Sequence, residues 1–550
     1  MTVRLDIGKY SPFVAFAVLT LAVLLPLMAP GFILTLDMVF TPHIHLPLQV
    51  TSSYLFYALL HYLNFIIPAD VLQKSILASI IFLSSLGGYK LVERTTDRTT
   101  AAQISAYVAG ILYAINPYTY ERFMAGQFAV LLGYCLLPFV AIQLLILAEH
   151  PTWRRGLGLG LLLTITGIVS IHTLGLASVL LLIMTCSAVW QRRSQPQQIK
   201  HYMVNLLLAL CTFAIASAYW LVPTLAGTSS TATAIAGFAG GDDQAFATLG
   251  GGFVGQILHI LRLQGFWAES MHLFVLPQAF MPGWWMGVCI LWIIIGVGIA
   301  AAWKGGRRQM AVIYISAAFT GAILATGVFN SALSHIFPLF RGFREPQKFA
   351  GLVALSYAVL VGWGVTATME YFSRKRLVAL QQLALATALL LPIVLTPTMF
   401  WGFGKQLQPV QYPATWAAIN NQLDRDKSSY QVLFLPWHLY MYYRFADRII
   451  MSPAAGYFDK PIIASNNPEI GQATADRPDA RKTLLGGKIL PNAANKTNLG
   501  AQLANLHIKY IILDKDNDFT SYAYLAHQVD LRLVSESANL RLYLNTEFKR

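Results

Sequence analysis

Charged residues are scarce in this chain. They make up 12% of its 550 residues, while hydrophobic residues reach 56%. Soluble domains carry about 25% charge, so the three or four soluble domains that length alone would suggest are excluded. Cysteine is sparse too. Cys135, Cys186, Cys211 and Cys289 all fall inside apolar runs, which leaves neither a disulfide framework nor a Cys-x-x-Cys metal site to assemble. Internal repeats, heptads and low-complexity tracts are missing. The Gly-rich stretches at Ala236 to Gly241 and Gly250 to Gly252 lack the Gly-Lys-Ser/Thr that a phosphate-binding loop requires. A net charge of +14 would point a soluble protein toward nucleic acid, but the placement of the charges excludes that partner here.

What the chain has instead is long apolar runs. Stretches near the ~20 residues of a bilayer span cover roughly 12–35, 72–92, 101–116, 128–148, 203–225, 284–303, 309–327, 349–371 and 377–399. One more block, 156–190, is too long for a single span and divides at Ser170-Ile171-His172 into two short helices. About eleven transmembrane helices are expected. Alternate loops should then be basic on the cytoplasmic side, and 16 of the 22 Lys and Arg before position 400 fall there. They are Arg4 and Lys9; Lys90, Arg94 and Arg98; Arg154 and Arg155; Arg192, Arg193 and Lys200; Lys304, Arg307 and Arg308; and Arg374, Lys375 and Arg376. This places the amino terminus in the cytoplasm and the carboxyl terminus outside. The first apolar run exceeds the 7 to 15 residues of a signal-peptide core and no clean cleavage site follows, so it is read as a span.

The composition changes near residue 400. Residues 400–550 hold 13 of the 25 acids and 17 of the 39 basic residues, the balance of a water-facing domain. A helix is expected over Tyr412 to Leu423, strands over Tyr430 to Leu435 and Ile508 to Leu513, and a hairpin from Leu531-Arg532-Leu533 and Leu540 to Leu544. Residues 401–550 thus read as a small extracytoplasmic α/β domain behind a membrane domain, 1–400. The Gly-, Pro-, Asn- and Asp-rich stretch 456–497 suits a long ordered loop or a mobile lid.

Charge is costly in a bilayer, so the charged residues on the outer side are the candidates for chemistry. Asp37 closes the first span with apolar neighbours on both sides, unlike a solvated loop acid. A partly desolvated carboxylate there can act as a general base toward a hydroxyl, hold a divalent cation, or simply end a helix. Tyr54 to Ile66 suits a helix lying in the membrane interface. His43 and His45 have the spacing of neither a helical zinc pair nor a catalytic triad; His43 is kept among the substrate-binding candidates. The second outer loop, Asn116 to Gln127, packs Glu121, Arg122 and Gln127 into a short turn. Arg122 offers a planar fork for phosphate, and Glu121 either orients it or binds a sugar hydroxyl, the alternative being a local Glu–Arg staple. The fifth outer loop sets Arg341, Arg344 and Lys348 around Glu345 and Pro346, against the positive-inside rule; an anionic ligand or anionic lipid headgroups explain that. His172, between the two short spans, faces the same side, either lining the pocket or serving as a hydrogen-bonded structural histidine. The Asp242-Asp243 pair reads as a solvated loop pair, with metal binding as the alternative.

Two of these segments carry a resemblance. Asn116-Pro117-Tyr118 to Gln127, with Leu131-Leu132-Gly133-Tyr134 after it, and Arg344-Glu345-Pro346-Gln347-Lys348-Phe349 resemble the membrane part of bacterial type-D arabinofuranosyltransferases, within the GT-C superfamily of polytopic glycosyltransferases. The resemblance extends loosely over residues 1 to about 400. It implies an α-helical polytopic GT-C-like catalytic domain and inverting transfer of a sugar from a polyprenyl-phosphate donor to a glycan, lipid or protein acceptor of the cell envelope, at the outer membrane face. Asp37 matches the catalytic first-loop aspartate. Glu121 is taken as the second catalytic acid, and Arg122, Gln127, His172, Arg341, Arg344, Glu345, Lys348 and His43 as substrate-binding. The acidic pair often found in that first loop is absent, Met38 following Asp37, so no metal ligand is assigned and the cofactor is left unknown. The large β-sandwich modules of the type-D enzymes are missing as well, so arabinose does not carry over. A lipid-linked sugar transporter or flippase, and a polysaccharide polymerase or ligase, are the rival readings. The transporter places its polar groups on broken helices near the midplane, whereas here they gather at one face.

Overall fold

The computed structural model describes residues 7–237, 244–470 and 479–549. Arg4, the Asp242-Asp243 pair and most of the first Gly-rich stretch lie outside the described residues. Among those described, nine helices are long and apolar enough to cross a membrane. The protein is a multi-pass membrane protein with a sheet region near its carboxyl end.

The amino-terminal half runs through α1 (Ile7–Leu24), α2 (Tyr54–Asn64), α3 (Ala69–Thr95), α4 (Thr100–Ala114), α5 (Pro117–Met124), α6 (Phe128–Tyr134), α7 (Leu137–Glu149), α8 (Trp153–Val169) and α9 (Ile171–Gln191). Two of the eleven expected spans are shorter than the nine: α4 has 15 residues and α8 has 17. Each stops where the sequence stops it. Asn116 precedes a proline, which disfavours helical backbone, and its side chain instead caps α5 by accepting the Thr119 N–H at 3.1 Å. Ser170 ends α8 with extended backbone and caps α9, accepting from the Thr173 N–H at 3.2 Å. The first expected span is present but ends earlier, at Met28, in a 3-10 turn over Leu25–Met28, and Phe32–Ile33 form a strand, β1, because an apolar run that short does not by itself distinguish helix from strand. α2 leaves Leu55, Leu59 and Tyr62 exposed along one side, the pattern of an interfacial helix.

At the centre stands the helix Ala350–Arg374, buried from Ala350 through Thr366. Small residues let its neighbour, Trp284–Lys304, approach it closely. A Cβ on Gly298 would collide with the Leu360 carbonyl, and one on Gly364 with the carbonyl of Ile294.

Beyond the last long helix, β2 (Pro409–Val410) returns to pair antiparallel with β1, Phe32 opposite Val410. β3 (Gln431–Leu435), β6 (Ile462–Ile463), β7 (Ile508–Asp514), β8 (Leu531–Glu536) and β9 (Leu540–Asn545) form one sheet in the order β6-β3-β7-β9-β8. β3 runs parallel to both β6 and β7, and β9 antiparallel to β7 and β8, so the expected terminal hairpin is the β8–β9 edge. β4 (Tyr440–Tyr443) and β5 (Arg448–Met451) form a separate hairpin. The expected helix is Ala414–Arg425, whose buried Trp416, Ile419 and Leu423 recur at helical spacing.

The segment after α1 is held from two sides. Gln73 on α3 grips Ile33 twice, accepting its N–H at 2.9 Å and donating to its carbonyl at 2.6 Å. Asp70 accepts the Gly31 N–H at 3.1 Å and Lys74 donates to the Ala29 carbonyl at 2.6 Å. The charges of Asp70 and Lys74 are therefore satisfied structurally.

Replacing Gly364 by leucine should force the two central helices apart. Overpacking of this kind costs about 1–3 kcal/mol or more. A lower unfolding midpoint in detergent, with Gly158→Leu, where nothing lies within 4 Å of the added Cβ, left near the wild type, would bear this out.

Candidate functional site

Asp37 sits on a tight turn. Thr35 and Met38 exchange backbone hydrogen bonds of 3.2 and 2.7 Å, which holds Leu36 at φ 35°, in the left-handed region that non-glycine residues avoid. The turn rests on the end of α5, through Thr35 Oγ1 donating to the Met124 carbonyl at 2.6 Å and the Asp37 N–H donating to Ala125 at 3.1 Å. Gly126 makes that seat available. Its φ is 75°, and a Cβ there would strike both Met38 N and the Thr35 carbonyl. From the other side Met451 N–H donates to the Leu36 carbonyl at 2.9 Å, and the Tyr440 hydroxyl on β4 donates to the Asp37 carboxylate.

The two loops singled out in the sequence meet beside it. Arg122 Nη1 lies 3.2 Å from Glu345 Oε2 and donates to Gln127 Oε1 at 2.7 Å, while Gln127 Nε2 donates to the same Glu345 oxygen at 2.8 Å. Lys348 Nζ is 3.4 Å from Glu345 Oε1. Arg122 is 1% exposed, and its guanidinium lies 4.1 Å from the Phe266 ring centroid and 5.4 Å from that of Tyr118. Tyr118 in turn donates to the Lys348 carbonyl at 3.2 Å, so α5 and the start of the central helix are tied twice.

Electrostatics separate the two carboxylates. Burial alone would raise Glu345, but Lys348, Arg122, the Gln127 amide and Arg344 outweigh it and hold its carboxyl well below the usual range. Asp37 goes the other way. Burial pushes it up to about 6 and Glu345 adds to the rise, against the lowering effects of the Tyr440 hydroxyl, Lys348 and Gln127. One carboxylate is firmly ionised, and its neighbour titrates near neutrality.

A cavity of about 420 Å³ adjoins this group. Arg344, Glu345, Lys348 and His172 line it together with the polar side chains of Thr51 and Ser230, a mixture of cations and hydroxyls. Asp37 does not line it, but it lies within electrostatic reach of Glu345 and Lys348, which do. Arg344 stacks 4.6 Å over the Phe246 ring. His172 packs edge-on to Phe343 and its Nδ1 has no hydrogen-bond partner among the described residues.

The structure thus gathers Asp37, Arg122, Gln127, His172, Arg344, Glu345 and Lys348. It does not bring Glu121 to Asp37. Glu121 is buried against Glu269, which accepts the Phe266 N–H at 2.8 Å. Burial, with Glu269 as a like charge, holds the Glu121 carboxyl well above its ordinary value, and burial raises that of Glu269 as well. Arg341 and His43 are exposed and do not line the cavity. Tyr440, Phe246, Phe266 and Glu269 are the residues that sequence reasoning missed. Tyr440 lies in a Tyr-Met-Tyr-Tyr run, and nothing local marks it. Among the described residues no group of three or more His, Cys, Asp or Glu converges as a metal site.

A buried ionic group on a multi-pass membrane scaffold, set beside a polar cavity, is the class of site that this chain defines. Its fold is similar to that of three single-particle cryo-EM structures of the arabinofuranosyltransferase AftD from mycobacteria. The first has a TM-score of 0.59 at 12% identity over 98% of this chain. The other two are classes of a mutant of that protein, with TM-scores of 0.55 and 0.56 at 14% identity over 99% and 98% of this chain. The chain spans only 40–42% of the length of those structures. No protein-family profile matches it, and no curated protein matches it in sequence. The membrane fold is the AftD-like one that the sequence resemblance implied.

Because burial holds Asp37 at about 6 rather than 3.8, the folded protein keeps a proton between those values that the unfolded chain has released. Stability from this group is full below pH ~4 and is lost as the pH rises to ~6. Asp37→Asn does not titrate. The unfolding midpoint of the wild type should therefore fall relative to Asp37→Asn between pH 4 and 6, with a constant difference above; parallel curves would contradict the shift.

Proposed function

We propose that this protein is a membrane glycosyltransferase that moves a pentose or hexose, with inversion, from a polyprenyl-phosphate donor to a glycan, lipid or protein acceptor of the cell envelope. The observation that carries this reading is the pairing of Asp37, a carboxylate poised near neutrality, with a buried cationic group beside a cavity large enough for a sugar phosphate. The likeness of fold to AftD supports it.

In this reading the acceptor hydroxyl gives its proton to Asp37 as its oxygen bonds to the anomeric carbon. The bond from that carbon to the phosphate oxygen breaks, and the lipid phosphate leaves with the electron pair. Arg344 and Lys348, at the cavity wall, offset the charge that appears there. Arg122 and Gln127 hold Glu345, which fixes Lys348 in turn. Glu121, paired with Glu269, takes no part in the reacting group. The loop charges put the amino terminus in the cytoplasm and residues 401–550, treated as a domain, outside.

The test is transfer of label from a panel of radiolabelled polyprenyl-phosphate sugars in membranes holding either the wild type or Asp37→Asn at matched expression. Incorporation by the wild type should drop by about 10²-fold or more in the variant; equal incorporation would remove Asp37 as the base. No incorporation from any donor would favour the transporter reading.

The rate should rise with pH through about 6, as Asp37 loses its proton. Tyr440→Phe deletes a hydrogen bond that favours the ionised form, so that limb should move to higher pH. A rate lowered with no displacement would leave Tyr440 a merely structural role.

A further inference from the structure

At the opposite end of α3 lies a second polar cavity, of about 460 Å³, lined by Lys90, Glu93, Arg94, Thr96 and Arg98 and, across from them, by Phe139 and Ile142 of α7. α3 has 27 residues, so its two ends are about 40 Å apart. Asp70, Gln73 and Lys74 hold the Asp37 segment at one end, and Lys90 to Arg98 crown the other.

The cavity is a cleft between two helices with a defined floor and brace. α3 and α7 touch at Gly87, where a Cβ would meet Pro138 and Phe139 at 3.1 Å. Farther along, an ion pair between Arg94 and Glu149 bridges the same two helices. Between floor and brace the cleft presents cations on the α3 side and apolar side chains on the other.

Its charges do not cancel. Lys90 pairs with Glu93 at 2.8 Å and Arg94 with Glu149. Arg98, in the turn after α3, has no ion-pair partner among the described residues, and the neighbouring Asp97 is taken by Arg307. Two of the three cations are thus balanced and one positive charge is left over. A phosphodiester carries one negative charge, which matches it, whereas inorganic phosphate carries nearer two and has nothing to lay against Phe139 and Ile142.

We propose that this cleft is a binding site for the phosphodiester headgroup of an anionic phospholipid, with Arg98 and Lys90 on the phosphate and the upper acyl chain along Phe139 and Ile142. Basic pockets between transmembrane helices are suited to such headgroups, and the membrane supplies the ligand at that depth. The site is independent of the reaction proposed above.

The test uses the full chain purified in a neutral detergent, with unfolding followed by tryptophan fluorescence. Added phosphatidylglycerol should raise the midpoint by about 2 °C or more, as any ligand selective for the folded state does. Phosphatidylcholine, which has no net charge, and inorganic phosphate should each leave it unchanged. Arg98→Gln together with Lys90→Gln should remove at least half of the phosphatidylglycerol shift. Arg193→Gln, an exposed cation outside the cleft, should keep the shift whole and serves as the folded control if the double variant is unstable. Three results would overturn the proposal. They are an equal loss with Arg193→Gln, which would mean diffuse attraction to the basic face; an equal shift with inorganic phosphate, which would mean a soluble phosphate ligand; and a full shift in the double variant.

Discussion

The ion pair between Arg122 and Glu345 joins two parts of the chain more than two hundred positions apart, and the candidate site is built outward from it. Moving two such charges out of water costs several kcal/mol per ion unless every donor and lone pair finds a partner. Here the demand is met by Gln127, which bonds to both, by Lys348 on the second carboxylate oxygen, and by the rings of Phe266 and Tyr118 under the guanidinium. A network of this kind has one good arrangement. It fixes the end of α5 against the start of the central helix.

That fixed corner is the seat for Asp37. The turn from Thr35 to Met38 donates two hydrogen bonds to the carbonyls of Met124 and Ala125, at the end of α5, and fits only because residue 126 has no side chain. The carboxyl-terminal region closes over it, through Met451 on the Leu36 carbonyl and Tyr440 on the carboxylate. Asp37 is therefore clamped between the membrane helices and the hairpin β4–β5.

α3 links this corner to the far side of the protein. Its first turns carry Asp70, Gln73 and Lys74, all engaged in holding residues 29–33, and its last turns carry the basic cleft. One rigid helix spans the distance, so the polar groups at either end are held apart by a column of apolar side chains with little to satisfy a charge in between.

Much of this could be read from residue order. Apolar runs located the long helices, and proline and serine at 117 and 170 marked where α4 and α8 end, because capping and the geometry before proline are local effects. The clusters around Arg122 and Glu345 stood out as charges in short loops flanked by apolar helices. Local rules failed where partners are distant. Phe32–Ile33 became a strand because Val410 was there to pair with it, and Glu121, adjacent to Arg122, turned out to pair with Glu269 rather than with Asp37. Hydropathy and charge placement determined that the chain crosses a membrane repeatedly and which loops hold its candidate site residues, since both depend on composition along the chain. Which of those residues meet, that Tyr440 reaches Asp37, and that Asp37 titrates near 6 while Glu345 stays ionised were decided only by the tertiary structure, because burial and neighbouring charge belong to a position in space.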